Sequence, residues 1–133
     1  MTRFIFPLIS IFYISGIFLL AGSPFISKIA IFNLFSLLHI PLYGILTVFL
    51  VFSFIPLPHR RSYAINQTNQ INQIDQTNQF LFAGLIALGV AVADEIHQAY
   101  IPGRNASITD VFLDMIGIIL GLFLIFWRLK QEP

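Results

Sequence analysis

Four apolar runs, at residues 4–20, 29–55, 80–93 and 108–127, decide what this chain can fold into. The first carries no charge and stops at Ala21-Gly22-Ser23-Pro24, residues that end a helix and turn the chain. The second is interrupted by Asn33, Ser36, His39 and Pro41, then ends where Pro56-Leu57-Pro58 gives way to His59-Arg60-Arg61. The third is short and runs directly into Asp94-Glu95-Ile96-His97-Gln98-Ala99-Tyr100, so other helices must shield its polar end. The fourth is apolar beyond Asp114 and closes on Trp127-Arg128, an aromatic and a cation suited to a membrane interface.

A helix needs about 20 apolar residues to cross the hydrocarbon core of a bilayer. The runs therefore predict an all-α integral membrane bundle of four transmembrane helices, at about 4–22, 31–55, 80–100 and 108–128, filling one domain over residues 1–133. Composition agrees, because 57% of the residues are hydrophobic and only 10% are charged, against about 25% charged in a soluble domain. Too few polar side chains exist to coat a surface facing water. A cleaved signal peptide is the rival reading of the first run, but its length and the spans that follow favour a retained helix. The net charge of +1 gives no reason to expect a nucleic-acid partner, and the absence of cysteine excludes disulfides, thiolate metal ligands and lipid attachment through sulfur.

Residues 62–79 read differently. From Asn66 the chain repeats Asn-Gln-Thr, Asn-Gln-Ile, Asn-Gln-Ile, Asp-Gln-Thr, Asn-Gln-Phe, a period of three that matches neither a helix nor a strand. Such tracts bury too little apolar surface to offset the entropy of ordering, so a disordered linker is expected here. Four spans place this linker and both termini on one side, with Arg3, Arg60, Arg61, Arg128 and Lys130 against Lys28 and Arg104 opposite. By the positive-inside rule that side is cytoplasmic, and residues 94–110 face outward.

The outward segment holds most of the chemistry. Asp94, Glu95, Asp110 and Asp114 are four of the six acids in the chain, and His97, Gln98 and Arg104 lie among them. Ionisable groups in a membrane helix each cost about 2.5–3.5 kcal/mol on insertion scales, which makes them candidates for function. At 100° per residue, Asp94 and Gln98 sit about 40° apart and Asp94 and His97 about 60° apart, so all three can share a pocket. Gly84, Ala87 and Ala91 continue that face. On the fourth helix, Asp110, Asp114, Gly117 and Gly121 fall on one stripe, and both carboxylates meet a neighbouring helix. Gly117 and Gly121 form a G-x-x-x-G pair, whose expected use is packing within the monomer and whose alternative use is a homodimer.

Plain structural roles also fit. Ser107-Ile108-Thr109-Asp110 matches a capping box, and Ile101-Pro102-Gly103-Arg104 matches a type II turn with Pro and Gly at its centre. Yet four carboxylates face one arginine, and like charges cannot all stay ionised together without a partner. A carboxyl that keeps its proton, a protonated His97 or a bound cation would resolve the excess. Asp94, Glu95 and His97 are therefore candidate acid/base groups, with Gln98, Arg104, Asp110, Asp114 and His39 as candidate ligand-binding residues. His39 shares a helix face with Tyr43 and reaches the pocket if the second helix begins near Asn33. No local pattern matches a known metal motif, so no metal site is assigned, and the sequence specifies no cofactor.

The string Asp94-Glu95-Ile96-His97-Gln98-Ala99-Tyr100-Ile101-Pro102-Gly103-Arg104, followed by Ser107, Asp110, Gly117 and Gly121, resembles the VanZ-like family. Its signature is D-E-x-x-Q, then P-x-R, then D, and His39-x-x-x-Tyr43 is similar to a second, weaker feature. The resemblance implies a small bundle of membrane helices in a bacterial envelope and, through the founding member, a link to resistance against the glycopeptide antibiotic teicoplanin. Carried over by position, Asp94, Glu95, Gln98, Arg104 and Asp110 match, while His97 falls at a variable place. Asp114 stands where an Asn is usual and adds a negative charge.

The expected role is a cell-envelope or antibiotic response through an outward polar pocket that takes a lipid-linked or glycan envelope component, with Arg104 as its anion anchor. The alternative is a non-enzymatic structural or partner-binding membrane protein whose acidic cluster only holds the helices together. These residues leave open whether the protein is an enzyme. A proton-coupled transporter fits less well, because the first span has no charge and four short spans leave little room for alternating access.

Overall fold

The computed structural model describes residues 4–23, 33–55 and 69–131. Every element among them is helical: α1 (Ile5–Ala21), a 3₁₀ segment (Asn33–Leu38) running straight into α2 (His39–Phe54), α3 (Asn69–Ala99) and α4 (Ile108–Gln131). Three stretches, Ser36–Phe54, Gln76–Ala99 and Ile108–Lys130, are long and apolar enough to cross a membrane, and α1 is a shorter apolar helix of 17 residues. Four apolar helices in one bundle fit a membrane protein.

Local sequence explains the boundaries. Pro7 and Pro41 occupy first turns, where a missing N–H costs nothing. Pro41 also withholds the donor that an α-turn would aim at the Leu37 carbonyl, and the turn upstream winds as 3₁₀ instead. The expected second helix thus begins as α-helix only at His39, and residues 31–32 lie outside the described ones.

The larger correction concerns the Asn/Gln tract. Helix α3 starts at Asn69 rather than near 80, so residues 69–79 are helical and not linker, while 62–68 lie outside the described residues. Gln is a good helix former, and lengthening a helix already nucleated by an apolar span costs little.

The chain runs up, down, up and down, and α2 is the hub, touching the other three helices. Helices α1 and α2 are antiparallel, joined by Ser10 Oγ and Ser53 Oγ at 3.1 Å and by the Tyr13 hydroxyl donating to the Leu42 carbonyl at 3.1 Å. Helices α2 and α4 run parallel and nearly touch, because small residues leave nothing between their backbones. A Cβ on Gly117 would lie 2.2 Å from the Ile40 carbonyl oxygen, and one on Gly121 2.8 Å from that of Gly44. The G-x-x-x-G stripe is thus occupied by α2 within the chain, and a homodimer through Gly117 and Gly121 would have to displace that helix.

The interior is polar for a small bundle: His39, Thr47, Asp94, Glu95, Gln98 and Asp114 are buried, while Phe12 is 83% exposed. Water would reverse that pattern, whereas lipid accommodates it. On α3 the buried stripe is Ala83, Ala87, Ala91, Asp94 and Gln98; the expected Gly84 sits beside it, close to Leu122.

Helices α3 and α4 are joined by the type II turn read from the sequence. Gly103 has φ +82°, and the Arg104 N–H reaches the Ile101 carbonyl at 3.1 Å. Gly103→Ala is expected to cost about 1–2 kcal/mol, because a Cβ is disfavoured in the left-handed region. A variant that melts with the wild type in detergent would mean that the turn relaxes into another form.

Candidate functional site

The polar residues meet where the start of α2, the end of α3 and the start of α4 converge. His39 is the first residue of α2, and Asp114 lies in the second turn of α4. Though 75 residues apart, they are joined by a buried hydrogen bond of 2.8 Å from His39 Nδ1 to Asp114 Oδ1. An ionised Asp114 accepts, which places a proton on Nδ1; in the neutral ring the lone pair is then on Nε2. His39 is therefore a central member of the site.

Glu95 caps α4 from outside. Its Oε2 accepts the Ser107 N–H at 2.7 Å, while the Asp110 N–H bonds the Ser107 carbonyl at 3.0 Å. In the expected capping box, the Asp110 carboxylate would reach back to that Ser107 amide. Here a carboxylate from α3 takes the position, which ties the two helices together and leaves the Asp110 carboxylate out of that cap. His39, Glu95 and Asp110 each bring a ligand atom within 4.8 Å of the other two.

Asp94, Gln98 and Arg104 form a relay. Gln98 Nε2 donates to Asp94 Oδ2 at 2.8 Å, and Arg104 Nη2 donates to Gln98 Oε1. Arg104 thus meets the acids through an amide, and among the described residues it forms no ion pair.

A regularity runs through these contacts. Asp94, Glu95 and Asp114 each use one carboxylate oxygen and leave the other, Oδ1, Oε1 and Oδ2 respectively, buried without a hydrogen-bond partner among the described residues. Arg104 Nη1 is in the same position, whereas the Tyr43 hydroxyl lies beside the Asp94 carboxylate. Buried polar groups are normally paired, and a half-satisfied network offers free acceptors and a free donor to whatever enters it.

His97 is placed differently. Its ring packs on Phe18 of α1, with centroids 5.4 Å apart, and it lines neither cavity described here. The 60° offset from Asp94 turns it to the α1 side, away from the shared pocket expected for it.

Two cavities reach the cluster. One of about 360 Å³ is polar at His39, Asp94, Gln98 and Arg104, and apolar where α1 lines it from Phe12 to Ala21. The nine steps from Phe12 to Ala21 correspond to about 13.5 Å of apolar wall. The other, about 580 Å³, is a cleft at the α3–α4 junction that includes Glu95 and Ser107.

Sequence reasoning missed the Glu95 cap, because its acceptor amide lies 12 residues away across a turn. Tyr43 it reached only as a neighbour of His39. Their rings lie within 9° of parallel with centroids 6.3 Å apart, and Tyr43 is fully buried.

A family model described as VanZ/LLP1 matches residues 4–129. Neither a curated protein nor a solved structure gives a match.

Proposed function

The chain belongs to the VanZ/LLP1 family, and from that premise we propose that it is a multi-pass protein of the bacterial inner membrane that binds an amphiphilic envelope component. In this reading α1 joins the other helices as a fourth span, both termini are cytoplasmic and the polar cluster faces outward. Arg128 and Lys130 at the far end of α4 support that orientation; Arg3, Lys28, Arg60 and Arg61 lie outside the described residues.

The observation that carries the proposal is the two-faced 360 Å³ cavity. An acyl or prenyl chain suits the α1 wall, and a phosphate or glycan headgroup suits the polar end. Arg104 Nη1 would hold the anion, and Asp94 Oδ1 would accept a hydroxyl or amine, each supplying a partner that the fold itself leaves out. Asp94 and Glu95 would be the acid/base groups if the bound molecule is also transformed. A role in the response to teicoplanin would follow from altering the surface component that the antibiotic meets.

Gly16 gives the test that separates binding from folding. It lines the cavity, and a Cβ there would meet nothing within 4 Å. Gly16→Leu fills the apolar wall while improving helix propensity by about 1 kcal/mol. Native mass spectrometry of the full chain with a short polyprenyl phosphate should show binding weakened at least about tenfold in Gly16→Leu and in Arg104→Ala, with the melting temperature of Gly16→Leu undiminished. Unchanged binding in both variants would reject the proposal, as would unchanged teicoplanin sensitivity in cells carrying Glu95→Gln or Arg104→Ala.

A second reading has its own support. The His39–Asp114 and Glu95–Ser107 bonds each join two helices, as a purely structural cluster would. Acid substitutions that lower the melting temperature while leaving lipid binding intact would favour it.

A further inference from the structure

We propose that His39, Glu95 and Asp110 bind one divalent metal ion of the zinc or manganese type, with Asp114 as the residue that orients the histidine. The three ligands come from α2, α3 and α4, and one ligand atom of each lies within 4.8 Å of the others. Tetrahedral ligands about 2.0–2.2 Å from a metal stand roughly 3.3–3.6 Å from one another, so a closure of up to about 1.5 Å assembles the site.

Acidic residues gather for other reasons too, and two observations set this group apart. The first is the bond from His39 Nδ1 to Asp114 Oδ1, 2.8 Å long and buried. A metal-binding histidine almost always donates its other ring N–H to a carboxylate or carbonyl, which fixes the tautomer and the ring plane. Asp114 accepts such a bond here, which leaves Nε2 as the ring nitrogen available to an ion. The second is Glu95, only 5% exposed. Its Oε2 is held by the Ser107 amide, and its Oε1 is buried with no partner among the described residues. A carboxylate fixed by one oxygen and free at the other is positioned to coordinate.

Charge and access agree. Asp94, Glu95, Asp110 and Asp114 converge at this end, and the guanidinium nearest to them is bonded to Gln98. A dication offsets the excess directly. The 580 Å³ cleft at the α3–α4 junction reaches Glu95, one of the three ligands. One imidazole with two carboxylates favours zinc, manganese and similar ions, whereas magnesium and calcium prefer oxygen alone.

The proposal does not depend on the amphiphile. Full-length protein without a histidine tag, stripped by chelator and held in detergent, is titrated calorimetrically with ZnCl2, MnCl2, MgCl2 and CaCl2. One zinc or manganese ion per chain is expected, with magnesium and calcium at least about tenfold weaker. Glu95→Gln, which keeps an acceptor for the Ser107 amide, and Asp110→Asn at a half-buried position should each weaken binding by at least about tenfold. Cobalt(II) should give visible absorption bands in the wild type that fade in both variants. Gly16→Leu should keep the ion even where it loses the polyprenyl phosphate, so the two proposals fail separately. No stoichiometric ion in the wild type, or undiminished affinity in Asp110→Asn, overturns this one. Asp110→Asn decides the matter if Glu95→Gln does not fold.

Discussion

Gly117→Ala should destabilise the protein by about 3 kcal/mol, the upper end of the usual cost of overpacking, and lower its melting temperature by roughly 10 °C. The added Cβ would stand 2.2 Å from the Ile40 carbonyl oxygen and 3.1 Å from the Gly44 nitrogen. Both are backbone atoms, so no side chain can rotate away, and relief requires α2 and α4 to separate. The other glycines grade the effect. Gly121→Ala, at 2.8 Å from the Gly44 oxygen, should fall lower on the same scale, because the clash is milder. Gly89→Ala meets nothing within 4 Å and should be neutral or stabilising by up to about 1 kcal/mol. Thermal unfolding in detergent, followed by circular dichroism, ranks the three. Equal melting temperatures for Gly117→Ala and Gly89→Ala would show that the two helices are not in backbone contact.

The second large effect concerns His39 and Asp114. After chelation of any metal, His39→Leu should cost about 3–5 kcal/mol, because it strands a fully buried carboxylate. Asp114→Leu should cost less, about 1–3 kcal/mol, since a neutral imidazole loses one hydrogen bond. The double variant should be more stable than the sum implies, by at least about 1 kcal/mol, because two apolar residues leave no orphaned charge. Additive losses would mean that the pair is not coupled. The cycle also separates the orienting role of Asp114 from simple acidity: Asp114→Asn retains an acceptor for the His39 ring and should preserve most of the stability.

Apolar runs made the four helices legible, because in lipid the backbone must satisfy itself within the helix and hydrophobic length alone marks a span. The turn at Pro102 and Gly103 was legible too, since its central positions demand those two residues. So was the stripe of Asp114, Gly117 and Gly121, which follows from helical offsets alone. The start of α3 was not, because the low-complexity composition of residues 69–79 outweighed the helix propensity of its glutamines. Contacts between helices were beyond the same reasoning. Helical spacing puts Asp114 on a face, but only three-dimensional packing puts His39 opposite it, 75 positions earlier. Glu95 reads in the sequence as a pocket acid, and its service to the Ser107 amide follows only from the packing of α3 beside α4.

The way α1 is attached has a consequence for ligand delivery. Helices α2 and α4 are locked together backbone to backbone, whereas α1 rests on α2 and, more lightly, on α3. Yet α1 supplies most of the wall of the 360 Å³ cavity. The least anchored element therefore borders the space, and under the proposed function an amphiphilic guest would enter sideways from the leaflet without crossing water. Such a guest would be presented at its two-dimensional density in the bilayer, so occupancy would follow its mole fraction among the lipids and not its aqueous molarity.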